Sequence, residues 1–405
     1  MIGYNRWTGP PMNVAGNALV AHGGGPTTVL NASLAGIVEE CRAAGVRKLF
    51  GALGGATGIL QEEFCDLLTE SASFWEQAAT SPGSLLGSSR AKIAEPDFET
   101  MIEVLGRHDI RYVFLNGGNG TMELALRLSE ATRGSSLGAF VIGVPKTIDN
   151  DLAGTDHSPG YASAARFFAF ALRDIGADNR ALPGITVVEI LGRNAGWLAA
   201  ATIQARCHAD DAPHLIYMPE RPLRFEQLAH DVERCYARLG RVVIAVCEGQ
   251  LDEHGEPFGA DTRASSRAPL ALNLAHVLAQ RLSKTLKISA RSEKPGLLGR
   301  SSSALVSSVD RAEARACGRA AVRAAIDGIS GKMITLDRQP GANYVCTTGL
   351  IDLAKVAAHE RLFPPAWLPA EPTSDMPEFR AWLQPLTGEI PPLPLLTYTE
   401  RLNVR

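Results

Sequence analysis

Short apolar runs recur along this chain, each closed by glycine or a polar turn: NALVAH at 17–22, KLFGAL at 48–53, RYVFLN at 111–116 and AFVIGV at 139–144. Later come ITVVEIL at 185–191, HLIYM at 214–218, RVVIAVC at 241–247 and LKISA at 286–290. Runs this short, without polar alternation, suit parallel strands buried on both faces. Helical patterns lie between them, at 32–45, 121–132 and 270–285. Strand and helix in alternation predict a doubly wound α/β architecture, with ligands at the carboxyl ends of the strands. At 405 residues the chain is long enough for two domains, and a boundary is placed at the turn near 150–160.

Composition narrows the partners. A net charge of -3 gives no broad attraction to nucleic acid or to an anionic membrane, so an anionic ligand needs a local cluster of cations. The seven cysteines are scattered and never spaced as C-x-x-C, which argues against a disulfide framework and a zinc site and for reduced thiols in a cytoplasmic protein. The opening MIGYNRWTGPPMNVAGN lacks the basic start and apolar run of a signal peptide, and no apolar stretch is long enough to span a bilayer. A Ser/Gly segment at 81–89 stands out, as does a Pro-rich tail at 364–394 that reads either as surface wrapping or as a mobile linker.

Four segments could carry chemistry. HGGGPTTVLNASLAG at 22–36 is a glycine turn between strand and helix, where backbone N–H groups can approach an anion. It lacks the Gly-Lys-Ser/Thr of a P-loop, and such a turn also serves close helix–sheet packing. NGGNGT at 116–121 is a second turn of this kind, with Thr121 as helix N-cap and Asn119 and Gly120 just ahead of it; Asn119 could equally be chosen for a left-handed backbone. VPKTIDNDLAGTDHSPG at 144–160 gathers Lys146, Thr147, Asp149, Asn150 and Asp151, followed by Asp156 and His157. A cation, a hydroxyl and alternating carboxylates at a strand end can neutralise a transferring phosphoryl group and take the proton of an acceptor hydroxyl. The fourth group is EILGRNAGW (189–197), CEG (247–249) and ARSEKPGLLGRSSS (290–303), where Arg193, Arg291 and Arg300 can grip a phosphorylated substrate. Arg90, closing the Ser/Gly segment, is a further cation; each arginine has the plain alternative of a solvated surface residue.

In this order the segments resemble the phosphofructokinase family, from about residue 17 to about residue 360. PKTIDND and GR-x-A-GW are the specific motifs, since GGNGT is similar to the GGDGT turn of lipid and NAD kinases. The flanking text looks most like the bacterial pyrophosphate-dependent branch. The resemblance implies two Rossmann-like domains with mostly parallel sheets and an active site in the cleft between them. It further implies a donor-binding domain of 1–155 with about 300–355, and a sugar-phosphate-binding domain of about 156–299 with 356–405. The implied reaction is a glycolytic one, phosphoryl transfer to the 1-hydroxyl of fructose 6-phosphate with magnesium.

Carried over by position, Asp149 is the base, with Thr147 beside it, and Lys146 stabilises the transferring charge. Gly25, Arg90 and Gly120 meet the donor. Thr147, Asp149, Leu191, Gly192, Arg193, Glu248, Arg291 and Arg300 bind the sugar phosphate, Arg291 reaching in from a neighbouring subunit of a homodimer or homotetramer. Asn119 falls where ATP-dependent relatives have a magnesium-binding Asp. Gly184 falls where such relatives often have a substrate-phosphate arginine, and Leu297 and Leu298 where many place His or Tyr. Lys146 matches the pyrophosphate pattern; Gly120 leaves open the space in which many pyrophosphate-dependent relatives keep an Asp, and so permits ATP. Pyrophosphate is the expected donor. The alternatives are an ATP-dependent 6-phosphofructokinase and a sugar-phosphate sensor that has lost turnover.

Overall fold

The computed structural model describes residues 15–258, 273–357 and 359–396. The sequence readings on the first 14 residues and on 270–272, at the start of one helical pattern, lie outside them.

Eleven strands in the described residues build two sheets. They are β1 (Asn17–His22), β2 (Leu49–Ala52), β3 (Phe64–Asp66), β4 (Ile110–Gly117), β5 (Phe140–Pro145), β6 (Ile185–Ile190), β7 (Leu215–Tyr217), β8 (Val242–Cys247), β9 (Ala290–Glu293), β10 (Lys332–Arg338) and β11 (Cys346–Asp352). The first sheet runs β11-β10-β5-β4-β1-β2-β3, parallel except for β3 and β11 at its two edges. The second runs β7-β8-β6-β9 and is parallel throughout.

Both sheets are covered on both faces, which is why their strands read as continuous apolar runs. In β1, Ala18 and Val20 pack with the helices Leu30–Ala43 and Ser308–Ile326, whereas Leu19 and Ala21 pack with Glu95–Arg107 and Asn119–Arg133. In β6, Val188 and Ile190 join a core with Tyr161–Ala181 and Pro377–Thr387, while Ile185 and Val187 face Phe225–Leu239 and Leu274–Leu286. The expected doubly wound architecture is what the chain forms.

Three local expectations change. The run at 286–290 is not a strand from its start: the preceding helix continues to Leu286, Lys287 caps it in the left-handed region at φ 57°, and β9 begins at Ala290. Thr121 is not an N-cap, because the helix begins at Asn119 after Gly118. The Pro-rich tail is not a free linker: Phe363, Phe379, Leu383 and Leu386 are fully buried or nearly so against the second sheet's core. No helix among the described residues is long and apolar enough to cross a membrane.

Candidate active site

The chain turns back on itself between β1, which leads to β2, and β4, which leads to β5 on the other side. That reversal opens a crevice at the carboxyl ends of β1, β4 and β5. The turns that leave these three strands are the glycine turn at 23–25, the turn at 117–121 and the segment beginning at Lys146.

Lys146 is 3% exposed, and its Nζ donates to the carbonyls of Gly23 at 2.8 Å and Gly25 at 2.7 Å. An ammonium has three N–H donors, so two are spent holding the glycine turn open. Burial, reinforced by the nearby Arg300 and Arg90 cations, lowers its pKa to about 8 against the pull of Asp149 and Asp151. The Ser/Gly segment lies alongside: Gly24 N donates to Ser89 O at 3.0 Å, and Ser88 Oγ donates to Gly24 O at 2.7 Å. That strip delivers Arg90. A Cβ on Gly25 would meet the Arg300 guanidinium and stand 3.4 Å from Arg90 Nη2, which shows the two arginines converging on this turn. Arg300, expected at the sugar phosphate, has its guanidinium against the glycine turn at 23–25.

The second glycine turn is shaped by contact with the first. A Cβ on either Gly23 or Gly117 would collide with Thr121 Oγ1, so the helix start is wedged between two backbones. Gly120 is different, since nothing lies within 4 Å of a Cβ built there. Beside it Asn119 Nδ2 donates to Asp151 Oδ2 at 2.9 Å, while Asn119 Oδ1 and Asp151 Oδ1 are both buried with no partner among the described residues. Two orphaned oxygens, one amide and one carboxylate, match the hard donors that magnesium takes.

Asp149 lies half-buried where the segment bends. Its N–H donates to Thr147 Oγ1 at 3.1 Å, and Asn150, at φ 55°, turns the chain back so that its Oδ1 accepts from Ser158 N at 3.0 Å. Burial, with the nearby Asp151 and Glu248 carboxylates, raises the Asp149 pKa to about 7 against the opposing pull of Arg193 and Lys146. Arg193 and Glu248, whose charges act on Asp149, follow the carboxyl ends of β6 and β8. There Glu248 Oε1 accepts from the N–H groups of Gly192 and Arg193, both at 3.4 Å, with Arg193 at φ 46° and its side chain exposed. Leu191 is half-buried against the second core.

Arg291 does not join this cluster within one chain. It pairs with Thr186 in the sheet register, at the amino end of β6, whereas Arg193 and Glu248 follow the carboxyl ends; its guanidinium is exposed and 3.8 Å from Asp178. Gly184 precedes the same strand end, and Leu297 and Leu298 are exposed. Asp156 and His157 also leave the site. His157 is fully buried between Asp156 at 2.8 Å and Glu313 at 2.7 Å. Burial alone would depress it, but the two carboxylates outweigh that and raise its pKa to about 9. Glu313 and Cys346 could complete a metal-ligand trio with it, yet both imidazole nitrogens already face carboxylates, as in a buried ion network.

The sequence model of the phosphofructokinase family matches residues 17–325. The chain belongs to the phosphofructokinase family. Among its relatives, the pyrophosphate--fructose 6-phosphate 1-phosphotransferase of Rhodospirillum rubrum is 37% identical over 92% of this chain and 94% of its own. The enzyme of the same name from Xanthomonas campestris pv. campestris is 36% identical over 93% of each. A solved pyrophosphate-dependent phosphofructokinase from Nitrosospira multiformis superposes with a TM-score of 0.85 at 30% identity, over 96% of this chain and 95% of that one. In this phosphofructokinase, sequence reasoning missed Glu360 and Arg361, which touch the 151–156 and 194 segments. The tail carried no motif to signal them.

Proposed function

We propose that this phosphofructokinase transfers a phosphoryl group reversibly between pyrophosphate and the 1-hydroxyl of fructose 6-phosphate, giving fructose 1,6-bisphosphate and phosphate. The carrying observation is the convergence of buried Lys146 with Arg90 and Arg300 on the glycine turn at Gly25, a grip on two phosphoryl groups that needs no nucleoside. Relatives aligned over more than nine-tenths of the chain are pyrophosphate--fructose 6-phosphate 1-phosphotransferases, which supports the same donor.

In this reading the sugar's phosphate is held by Arg193 beside the Gly192 turn, with Glu248 fixing that turn by its two N–H bonds. Arg291, exposed at the far strand end, serves the site of a neighbouring copy in a homo-oligomer. Asp149, at the bend of the segment beside Thr147, accepts the proton of the 1-hydroxyl. The hydroxyl oxygen attacks the near phosphorus, the P–O bond to the bridging oxygen breaks, and Lys146 and the arginines neutralise the departing phosphate. Asn119 and Asp151 would hold magnesium, which when bound neutralises the donor's charge.

A second reading, with ATP as donor, has the open space at Gly120 in its favour. Steady-state assays with each donor, magnesium and fructose 6-phosphate decide between them. A higher kcat/KM for pyrophosphate is expected, and a clearly higher value for ATP overturns the donor assignment. Sugar-phosphate binding without turnover on either donor would favour a sensor, a role for which the placed base Asp149 has no use.

A further inference from the structure

Residues 146–160 leave β5 as irregular backbone and carry Asp149, so their shape depends on what braces them. The inner side is tied to the first sheet, where Asp156 N donates to Leu336 O at 2.9 Å. The outer side is braced by residues 360 and 361, beyond the segment that the family match covers. Leu152 and Glu360 form an antiparallel bridge, and Arg361 N donates to Asp151 O at 2.8 Å. Arg361 Nη1 then donates to Thr155 O at 3.0 Å and Asp156 O at 2.6 Å. The guanidinium lies 4.4 Å over the ring of fully buried Trp197, whose Nε1 donates back to Arg361 O at 3.2 Å. A rigid planar donor seated on an aromatic face fixes both carbonyls in one geometry, which a flexible ammonium does less well. Next to it, the Glu360 carboxylate accepts from Asn194 Nδ2 at 3.1 and 3.2 Å, and Asn194 directly follows Arg193.

We propose that Arg361 is a positioning residue for phosphoryl transfer, and that Glu360 and Arg361 together clamp the segment carrying Asp149 to the turn carrying Arg193. The proposal rests on the reading of Asp149 as the base. The two halves of the clamp act on different kinetic constants. Arg361 sets the distance from Asp149 to the hydroxyl, where a displacement of about 1 Å costs on the order of 100-fold. Glu360, through Asn194, sets the sugar-phosphate turn.

The test compares Arg361→Met, which keeps the stem over Trp197, with Arg361→Lys, Glu360→Ala and Asp149→Asn. Each is assayed with pyrophosphate, magnesium and fructose 6-phosphate, alongside thermal melting and amide hydrogen exchange of residues 150–157. For Arg361→Met, kcat should fall roughly 10- to 100-fold with the fructose 6-phosphate KM changed less than about threefold. Exchange in 150–157 should quicken, and Arg361→Lys should recover part of kcat. Glu360→Ala should raise the sugar-phosphate KM while keeping most of kcat. The proposal is overturned if Arg361→Met keeps kcat within about twofold, or leaves exchange unchanged. It is equally overturned if kcat and melting temperature fall together while KM rises, with no rescue by lysine. Should Arg361→Met not fold, Glu360→Ala carries the test, and an unchanged sugar-phosphate KM in that variant overturns the clamp. If Asp149→Asn keeps its kcat, the base assignment fails, whereas the exchange comparison, which needs no turnover, still decides whether Arg361 holds the segment.

Discussion

Replacing His157 by leucine should cost this protein about 3 to 5 kcal/mol of stability at pH 6, because it strips a buried carboxylate of its cation. The imidazole is fully buried, and its two nitrogens meet Asp156 and Glu313. Glu313, 2% exposed, would keep the Tyr344 hydroxyl and the Cys346 thiol, neither of them a cation, whereas Asp156 retains Arg338 at 3.3 Å and Trp382 Nε1 at 3.1 Å. A second route gives a similar size. Raising a histidine from 6.5 to about 9 corresponds to about 3 kcal/mol of preference for the charged form in the folded state. The sign follows from the raised value: the contribution is complete below pH 6.5 and is lost as pH climbs through about 9. Denaturant melts at pH 6, 7.5 and 9.5 should therefore show the stability gap between the natural protein and His157→Leu narrowing toward alkaline pH. Adding Glu313→Gln to His157→Leu should restore part of the loss, since no uncompensated charge is then buried. The reasoning is refuted if His157→Leu lies within about 1 kcal/mol of the natural protein at pH 6, or if the stability gap between the two is the same at pH 6 and 9.5.

Other outcomes follow from the site. Asp149→Asn should lower kcat by roughly 10²- to 10⁴-fold with little change in either KM, as for loss of a general base; a near-normal kcat assigns the base elsewhere. Arg300→Ala should raise the pyrophosphate KM about 10-fold or more, the worth of a charged hydrogen bond, with a smaller effect on the fructose 6-phosphate KM. The reverse pattern would return Arg300 to the sugar-phosphate group. Gly120→Asp should fold normally, because nothing crowds a Cβ there and a carboxylate in a first helical turn is favourable by about 0.3–1 kcal/mol. It should keep pyrophosphate turnover and lower any ATP kcat/KM by about tenfold or more through like-charge repulsion; unchanged ATP use would show that this space does not lie beside the nucleotide's phosphates.

The apolar runs and the helical spacing between them determined the architecture by themselves, because strands covered on both faces must be apolar throughout and the intervening helices must turn one face inward. Motif order was enough to place Lys146, Thr147, Asp149 and the glycine turns at strand ends, since in such a sheet each turn after a strand opens on the same edge. Contacts distant in sequence were not legible. Arg300 met Gly25 only after the chain had crossed both sheets, and Asn119 met Asp151 across adjoining strands. His157 read as one more polar residue in a loop until the helix carrying Glu313 arrived to bury it as a cation. The tail showed only prolines and scattered aromatics, and its role was decided when Phe363, Phe379 and Trp197 packed together and set Arg361 on the carbonyls of the Asp149 segment. Local pattern fixes which face of an element is apolar; which charge meets which carbonyl is settled only where desolvation brings separate elements into one interior.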